Sequence, residues 1–358
     1  MSVSELIARA EREIDDGLLP SCQLALARHG ELEVFEALGD ARPDDRYVIY
    51  SVSKALTAGV AWLAFGEHKL EPTGRVAELV PEFAGGGKDA VTIEQLLLHT
   101  SGFPHAPMLP LEGADRAKRR ERFASWRLDW EPGTQTEYHT TSAHWVLGET
   151  IDNVGDEYRT LFNERIARPL GLERLRLGGP EAVDGVLDVR IAGGDGEMSA
   201  GEIDLPNIKR HTILYYNDPA VRAAGVPGAG AVGNAAEVAV YFQALIHNPG
   251  ELWDPDVLAD GTGTIRNAMT DPYTRSPANR SRGLVLAGDD GKAFVRGFGK
   301  TAGPRAFASP GVGGQVAWAD PDSGVSFCYL TNGIDTDLVR AFRRSLSLST
   351  LAEAWAAG

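Results

Sequence analysis

The sequence predicts an α+β fold: an antiparallel sheet flanked by helices, with a mostly helical region inserted into it. Near the start of the chain, apolar and polar residues alternate in two short runs joined by a glycine-containing turn, which is typical of a β-hairpin. The next strand-like runs come only after residue 233, and helical patterns dominate the stretch between, from about residue 51. We therefore expect one sheet that is assembled from both ends of the chain.

The predicted elements alternate in a definite order along the chain. Strand-like runs cover residues 22–28, 32–38, 283–286, 293–297, 315–319 and 325–331. Helical patterns cover residues 4–16, 54–66, 92–99, 235–246 and 337–357. An Asp-Asp-Gly turn beginning at Asp289 is predicted to join the third and fourth strands. From this order we expect two interlocked domains: residues 1–60 and 234–358 form the sheet domain, and residues 61–233 form a mostly helical domain.

Composition limits the classes of protein to consider. The 358 residues, 43% of them hydrophobic, suffice for a sizeable core, and the net charge of −15 argues against nucleic acid as a partner. The chain starts with an acidic amphipathic helix in place of a secretory signal, and no apolar run reaches the ~20 residues of a membrane span. We therefore expect a cytoplasmic protein without membrane contact. Cys22 and Cys328 lie far apart in strand-like runs and are expected to be reduced core thiols.

The most informative motif is Ser-x-x-Lys at Ser51 and Lys54, at the start of a long helical pattern. Residues three apart share one face of a helix, so the Lys54 amine can reach the Ser51 hydroxyl. A serine in the first turn also faces the positive end of the helix dipole, which favours an alkoxide and the oxyanion that forms after attack. Taken alone, the motif more often marks an N-capping serine beside a solvated lysine, so further residues have to support the catalytic interpretation.

No pattern in the sequence indicates a cofactor or a metal. The run Gly228-x-Gly230-x-x-Gly233 matches a dinucleotide-binding fingerprint, but no convincing strand precedes it, so a turn into the next helix is favoured. The eight histidines show no metal-ligand spacing. The Gly-x-Ser-x-Gly elbow of α/β-hydrolases is also absent from the sequence.

Three further segments carry a resemblance to a known family. They are residues 92–102, which end in Leu-His-Thr-Ser-Gly; residues 130–140, which contain Trp-Glu-Pro-Gly and Tyr138 and precede Trp-Val-Leu-Gly-Glu at 145–149; and residues 307–314, which contain Ser309-Pro-Gly311. Together with the Ser51 motif, and in this order, they resemble the serine β-lactamase and penicillin-binding-protein superfamily. The resemblance is to its class C-like branch of family VIII carboxylesterases and transacylases, and it runs nearly end to end. It implies a β-lactamase/transpeptidase-like fold with the active site in the cleft between the two domains.

The resemblance assigns roles to individual residues. It makes Ser51 the nucleophile, Lys54 the group that lowers the proton affinity of the serine hydroxyl, and Tyr138 the group that relays a proton to the leaving group. Tyr138 needs a pKa below ~10 for this task, and its alternative role is that of a core tyrosine capping a loop. The backbone N–H groups of Ser51 and Val312 would form the oxyanion hole.

Two positions depart from the family pattern. Thr140 stands where the family often has Asn, and it lacks the paired donor and acceptor of an amide. Ser309 replaces the Lys or His of the triplet that ends at Gly311, which removes a cation able to hold a substrate carboxylate. Thr140, Ser309, Gly311 and His139 are the predicted substrate-binding residues. The two departures favour an ester or thioester with an uncharged acyl group over a β-lactam.

The function expected from these residues is that of a serine acyl-enzyme hydrolase or acyltransferase acting on a small ester or thioester. Two alternatives remain open: hydrolysis of an amide, D-peptide or β-lactam, and a catalytically silent binding protein on the same scaffold. Phe103, Trp126, Trp130 and residues 109–111 fit either an apolar pocket wall or ordinary core packing. The small-molecule substrate is the only partner expected, and nothing in the sequence indicates the oligomeric state.

Overall fold

The computed structural model describes residues 2–192 and 210–357, whose strands form one large sheet and two small ones. The strands are β1 Ser21–Arg28, β2 Glu31–Gly39, β3 Tyr47–Val48, β4 Arg176–Leu177, β5 Arg190–Ala192, β6 Ala231–Gly233, β7 Val285–Leu286, β8 Phe307–Ala308, β9 Val316–Asp320, β10 Val325–Thr331 and β11 Gly333–Asp335. The large sheet has the order β2-β1-β10-β9-β8-β7, and all its neighbours are antiparallel. The prediction of one antiparallel sheet built from both ends of the chain is confirmed.

Helices surround this sheet and fill the middle of the chain. They are α1 Val3–Asp15, α2 Ser53–Gly66, α3 Val76–Leu79, α4 Ile93–Leu97, α5 Pro110–Ala114, α6 Arg116–Ser125, α7 Ser142–Asp152, α8 Tyr158–Thr160, α9 Arg210–Leu214, α10 Pro219–Ala224, α11 Ala235–His247, α12 Pro255–Gly263 and α13 Leu338–Ala356. Helices α2 to α10 lie between β3 and β6, in the region predicted to be mostly helical. Among the described helices, none combines the length and the apolar character needed to cross a membrane.

Strand β1 shows how the sheet is buried on both faces. Its side chains alternate, because successive residues of a strand point to opposite sides. Cys22, Leu24 and Leu26 join a cluster that includes residues of α1 and α13. Ala25 and Ala27 join the main core, to which α11 contributes. Because helices cover both faces, the strand reads as a nearly continuous apolar run.

Side chains of the expected types begin several helices. Thr92 and Gln95 form a capping box at the start of α4: Thr92 N donates to Gln95 Oε1 at 3.0 Å, and Gln95 N donates to Thr92 Oγ1 at 3.4 Å. Asn234 accepts from the backbone to cap α11, and Asp337 does the same for α13. The helix after the glycine-rich run therefore starts where β6 ends, as the sequence predicted.

Helix α2 lies in the centre of the molecule. Every residue from Ser53 to Phe65 is buried, as expected of a helix that is apolar on all sides. Strand β3 leads into it through a 3₁₀ turn at Tyr50–Val52, and β3 is paired with β6, which in turn is paired with β4. The predicted domain boundary between residues 60 and 61 falls inside this continuous helix.

The strand predicted over residues 293–297 is wrong. Ala293–Arg296 forms a 3₁₀ turn, and β7 is paired with β8 instead. The Arg296 guanidinium donates to Ala287 O at 2.6 Å and to Asp290 Oδ1 at 2.9 Å, which draws the segment back towards the preceding turn. A buried guanidinium satisfied in this way holds the chain in a compact loop, so the Asp-Asp-Gly hairpin predicted there does not form.

The two cysteines behave as apolar core residues. Cys22 and Cys328 are both buried and unpaired, and they lie on the adjacent strands β1 and β10, where Cys328 is opposite Ala25. Burial raises the pKa of the Cys22 thiol to about 12, because a thiolate would be poorly solvated there. The prediction of reduced core thiols is confirmed.

Candidate active site

The predicted nucleophile lies in a strained turn between β3 and α2. Ser51 is the middle residue of the 3₁₀ turn Tyr50–Val52. Its neighbour Tyr50 has a φ of 45°, a left-handed conformation that is unfavourable for a bulky residue. The Tyr50 ring makes an edge contact with the Tyr216 ring, at 5.3 Å between centroids, and its hydroxyl donates to Ile213 O at 3.3 Å. These contacts hold the backbone conformation that presents the Ser51 side chain to a cavity.

Lys54 lies one helical turn further along, and three oxygen atoms surround its amine. Nζ is 3.2 Å from Ser51 Oγ, 2.7 Å from Thr140 O and 2.8 Å from Gly228 O. The last two are backbone carbonyls, which can only accept, so two N–H bonds of the amine are committed to them. The third position on nitrogen faces Ser51. It carries an N–H when the amine is charged and a lone pair when the amine is neutral.

Tyr138 approaches Ser51 from a different segment of the chain. Its hydroxyl donates to Ser51 Oγ at 2.8 Å. Two cations flank the phenol ring, since Lys54 Nζ is 4.9 Å and Arg280 Cζ is 5.3 Å from its centroid. The His99 ring packs against it with the centroids 4.8 Å apart. The structure thus brings Ser51, Lys54 and Tyr138 together at one point.

The pKa values of the two groups beside the serine are shifted in a useful direction. Burial lowers the pKa of the Lys54 amine, and attraction to Tyr138 opposes this shift without cancelling it. Burial alone would raise the pKa of Tyr138, but the charge of Lys54 and hydrogen bonds to Lys54 and Ser51 outweigh burial and lower that pKa. The pKa values of both groups are therefore lower than in water. The site can deprotonate Ser51 with either a neutral Lys54 or a Tyr138 phenolate.

Three buried histidines surround this group. His99, His139 and His144 are each at most 2% exposed, and burial lowers their pKa values, that of His139 to about 3. His139 Nε2 lies 3.1 Å from Ser101 Oγ and 3.2 Å from Phe103 N. The imidazole of His139, predicted to contact substrate, is therefore engaged in holding its own loop. In the described parts of the chain, no cluster of His, Cys, Asp and Glu is arranged to hold a metal ion.

The other predicted binding residues lie close to Ser51, with roles that differ from one another. Thr140 lines the cavity, and its carbonyl accepts from the lysine amine. Ser309 is buried, and its hydroxyl donates to Ser51 O at 2.9 Å, so it fixes the nucleophile turn. At Gly311 a Cβ atom would lie 2.9 Å from a backbone oxygen, which leaves no space for a side chain. None of these three positions places a cation at the site.

Val312, predicted to supply an oxyanion-hole amide, follows Gly311 and lines the cavity together with Ser51. Within residues 2–192 and 210–357, no acceptor is found for its backbone N–H. A backbone donor without a protein partner is the group that an oxyanion hole requires.

An apolar cavity of about 360 Å³ opens beside Ser51, a size typical of small-molecule sites. Its walls include Tyr50, Met108, Leu109, Trp145, Ile213 and Tyr216. The sequence left open whether Phe103, Trp126 and Leu109 line a pocket or pack in the core. Leu109 lines this cavity. Phe103 and Trp126 are buried in the core with their rings 5.6 Å apart.

Two residues at the site were missed by sequence reasoning. Gly228 supplies a carbonyl to Lys54, and a Cβ atom there would lie 3.3 Å from Lys54 Nζ. The glycine at this position lets the backbone come close to the Lys54 amine. In a dinucleotide-binding fingerprint, by contrast, the glycines let the backbone come close to a phosphate. Arg280 stands beside Tyr138, and no motif in the sequence identifies it.

Several curated relatives match most of the chain. One, from Escherichia coli strain K12, is named as a candidate D-alanyl-D-alanine carboxypeptidase; it is 25% identical over an alignment of 357 residues that covers 90% of this chain and 80% of the relative. Another is esterase EstB from Burkholderia gladioli, 26% identical over an alignment of 383 residues that covers 93% of this chain and 92% of the esterase. The chain is thus similar to proteins with two different named activities.

Solved structures share the whole fold. A penicillin-binding-protein homologue from Caulobacter crescentus matches with a TM-score of 0.81 and 26% identity, covering 98% of this chain and 96% of the other. A family VIII carboxylesterase matches with a TM-score of 0.78 and 25% identity, covering 98% and 97%. The family model for β-lactamases matches residues 7–350. The chain therefore belongs to the β-lactamase family.

Proposed function

We propose that the protein is a serine hydrolase that cleaves small carboxylic esters or thioesters through an acyl-enzyme on Ser51. The observation that carries this proposal is the contact of two groups with Ser51 Oγ: the Tyr138 hydroxyl at 2.8 Å and the Lys54 amine at 3.2 Å. Both lie where Ser51 lines an apolar cavity. The likeness to esterase EstB and to a family VIII carboxylesterase supports ester cleavage.

The proposed reaction has two steps. In the first, Ser51 Oγ attacks the carbonyl carbon while its proton passes to Lys54 or Tyr138, and the N–H groups of Ser51 and Val312 hold the oxyanion. Tyr138 then gives a proton to the leaving alcohol or thiol as its bond to the carbonyl carbon breaks. In the second step water attacks the acyl-enzyme, its proton passes to the same groups, and Ser51 is released with the carboxylic acid. An alcohol in place of water would make the reaction an acyl transfer.

The cavity beside Ser51 is the proposed acyl pocket. Its walls of Met108, Ile213 and Trp145 are apolar, which suits an uncharged acyl chain. Desolvation of an acyl chain on such walls supplies binding energy at about 25 cal/mol per Å² of buried apolar surface. The optimum chain length then reports the depth of the pocket.

A second candidate is amide or D-peptide hydrolysis, which the similarity to the Escherichia coli relative favours. Thr140 argues for the ester, because a threonine hydroxyl lacks the separate donor and acceptor groups with which an asparagine amide can pair with a substrate amide. Cleavage of a D-alanyl-D-alanine peptide faster than of any ester would reverse this order.

The test is hydrolysis of p-nitrophenyl esters from acetate to octanoate, with intact-mass detection of the acylated protein. We expect a burst and one acyl adduct in the wild type, and neither in Ser51→Ala. Ser125→Ala removes an exposed serine hydroxyl on α6 and serves as the matched control, with unchanged rates. An adduct that persists in Ser51→Ala, or no adduct with any ester, contradicts the proposal.

A further inference from the structure

Gln315 joins the loop beside the reacting atoms to the large sheet. It is 1% exposed and directly precedes β9, which pairs with β10 as far as Val316 opposite Tyr329. In that register Gly314 would come opposite Thr331, but the backbone ladder stops before it. Gln315 Nε2 donates to Thr331 O at 2.7 Å, and Thr331 N donates to Gln315 Oε1 at 3.0 Å. The side-chain amide thus makes the two hydrogen bonds that a further strand residue would make through its backbone.

The residue that Gln315 binds is itself fixed in the sheet. Thr331 lies opposite Cys22 of β1. Its hydroxyl donates to Ser21 O at 2.7 Å and accepts from Gly333 N at 3.1 Å. The amide of Gln315 is therefore attached to a rigid position in the middle of the sheet, which is the kind of support that a precisely placed catalytic group requires.

The turn that ends at Gln315 carries the proposed oxyanion donor. Gly311 N donates to Gln315 O at 2.9 Å, so residues 311–315 form a closed turn that contains Val312. The Val312 N–H has no acceptor in any segment of the chain that the structure describes. A donor that is free for a substrate oxyanion contributes no hydrogen bond to its own placement. The position of this donor therefore depends on the residues at the two ends of the turn.

The same segment is tied to the other proposed oxyanion donor, the Ser51 N–H. Ser309 Oγ donates to Ser51 O at 2.9 Å, and Ser309 N donates to Ala317 O of β9 at 3.0 Å. Ser309 thus fixes the nucleophile turn to the strand before the loop, and Gln315 fixes the end of the loop to the sheet. Two backbone donors stabilise an oxyanion only when both lie about 2.7 to 3.1 Å from its position, so their separation has to be held.

We propose that Gln315 is a positioning residue of the reaction: its amide holds the turn 311–315 so that the Val312 N–H meets the oxyanion of the tetrahedral intermediate. This inference rests on the proposed function, in which that N–H group and the one of Ser51 form the oxyanion hole. The position requires a primary amide, because one side chain has to donate to Thr331 O and accept from Thr331 N at the same time.

The test uses Gln315→Met, which keeps a long unbranched side chain and removes both hydrogen bonds. We expect kcat/KM for p-nitrophenyl butyrate to fall roughly 10- to 100-fold, less than the roughly 10²- to 10³-fold cost of deleting an oxyanion donor. The affinity for propylboronic acid, whose tetrahedral adduct with Ser51 uses the same two donors, should fall by the same factor. The carbonyl stretch of a ¹³C-labelled butyryl-enzyme should move to higher frequency, because weaker hydrogen bonds polarise the C=O bond less.

The matched control is Gln243→Met. Gln243 is also 1% exposed, and its amide donates to Ala27 O and accepts from Gly30 N, both at 2.9 Å. It lies at the opposite end of β1 and lines neither the cavity beside Ser51 nor the second cavity that Val312 borders. Both variants should unfold at lower urea concentration than the wild type, and only Gln315→Met should lose activity and boronate affinity.

A second variant, Gln315→Glu, keeps the test valid if Gln315→Met does not fold. The carboxylate that it introduces can accept from Thr331 N but cannot donate to Thr331 O, whereas a protonated carboxyl does both. The deficit in kcat/KM relative to the wild type at the same pH should therefore shrink as the pH is lowered. A purely structural defect predicts no such recovery.

Three results would overturn the inference: kcat/KM at the wild-type value in folded Gln315→Met, a decrease in kcat/KM without a matching loss of boronate affinity, and an equal loss of activity in Gln243→Met. In Gln315→Glu, a deficit that does not change with pH would do the same. Failure of the proposed function is recognised separately, in the wild type and Ser51→Ala. Ester hydrolysis that persists in Ser51→Ala would contradict the acyl-enzyme, and this inference with it.

Discussion

Replacing Tyr138 with Phe removes one oxygen atom from the site and keeps the ring contacts with His99 and Arg280. In the wild type, Ser51 Oγ has two partners, the Tyr138 hydroxyl at 2.8 Å and Lys54 Nζ at 3.2 Å; in the variant only the second remains. Loss of a general acid lowers the rate by about 10²- to 10⁴-fold, equivalent to roughly 3 to 5 kcal/mol on the barrier. One lost hydrogen bond should destabilise the fold by about 1 kcal/mol.

The size of the loss in Tyr138→Phe should depend on the leaving group. An ethoxide ion needs a proton in order to leave, whereas p-nitrophenolate is a stable anion. We therefore expect the full decrease in kcat/KM for ethyl butyrate and a smaller one for p-nitrophenyl butyrate. This comparison isolates proton donation to the leaving group from deprotonation of Ser51.

The pH dependence of Tyr138→Phe gives an independent check. Burial lowers the pKa of the Lys54 amine, and the wild-type phenol counteracts that shift. Without the phenol, the Lys54 pKa should fall further, and the amine loses its proton at lower pH. Because the acidic limb of kcat/KM rises as the base loses its proton, this limb should move to lower pH in the variant.

The matched control is Tyr241→Phe. Tyr241 is also a buried tyrosine, and its hydroxyl donates to Ala55 O of α2 at 2.9 Å, away from Ser51. We expect a similar loss of stability in urea unfolding and kcat/KM close to the wild-type value. A decrease below about tenfold for ethyl butyrate in Tyr138→Phe, or an acidic limb displaced to higher pH, would refute the role given to Tyr138.

Three further changes test other parts of the structure. Gly228→Ala would place a methyl group 3.1 Å from His144 Cβ and 3.3 Å from Lys54 Nζ. We expect kcat/KM to fall about tenfold through misplacement of the Lys54 amine, whereas Gly155→Ala, which meets no atom within 4 Å, should change nothing. Arg344→Met removes one partner from each of two buried carboxylates, Glu13 and Asp335, which keep Arg9 and Arg340, and it should lower the free energy of unfolding by about 1.5 to 3 kcal/mol. The exposed Arg305→Met should give no measurable shift in urea; equal shifts would contradict the burial argument. The native protein should not react with a disulfide reagent at pH 8, because both cysteines are buried and the pKa of Cys22 is raised to about 12; reaction before unfolding would show that the core opens.

The parts of the site predicted from the sequence are those that local geometry or a recognisable motif determines. Ser51 and Lys54 meet because residues three apart share a helix face. This contact can be predicted without any knowledge of tertiary structure. Tyr138 was predicted from the motif that surrounds it, and it lies 2.8 Å from Ser51 in the structure. Strands β1 and β10 were likewise predicted, β1 from an alternating run that ends at a glycine-containing turn and β10 from the strand-like run over residues 325–331.

The parts that were missed depend on contacts between distant segments. Arg280 reaches Tyr138 only because Asn267 ties its backbone to the loop before Tyr138, a relation invisible to spacing. His139 was predicted to contact substrate because it lies next to Tyr138 in the sequence. Its hydrogen bonds with Ser101 and Phe103 join segments that are far apart in the chain, so the sequence alone could not reveal them. The Ala293–Arg296 segment has a strand-like pattern that the hydrogen bonds of its buried arginine override.

The pairing of β1 with β10 has a consequence for biosynthesis. Thr331 lies 310 residues after Ser21, to which it donates a hydrogen bond. At translation rates of roughly 5 to 20 residues per second, the second edge of β1 therefore stays unpaired for about 15 to 60 s while the first edge is already covered by β2. An apolar strand with an open edge is a template for intermolecular pairing. Premature termination before residue 325 would leave that edge open permanently, so truncated chains should aggregate or be degraded, and chaperone capacity should limit the yield of the full-length chain.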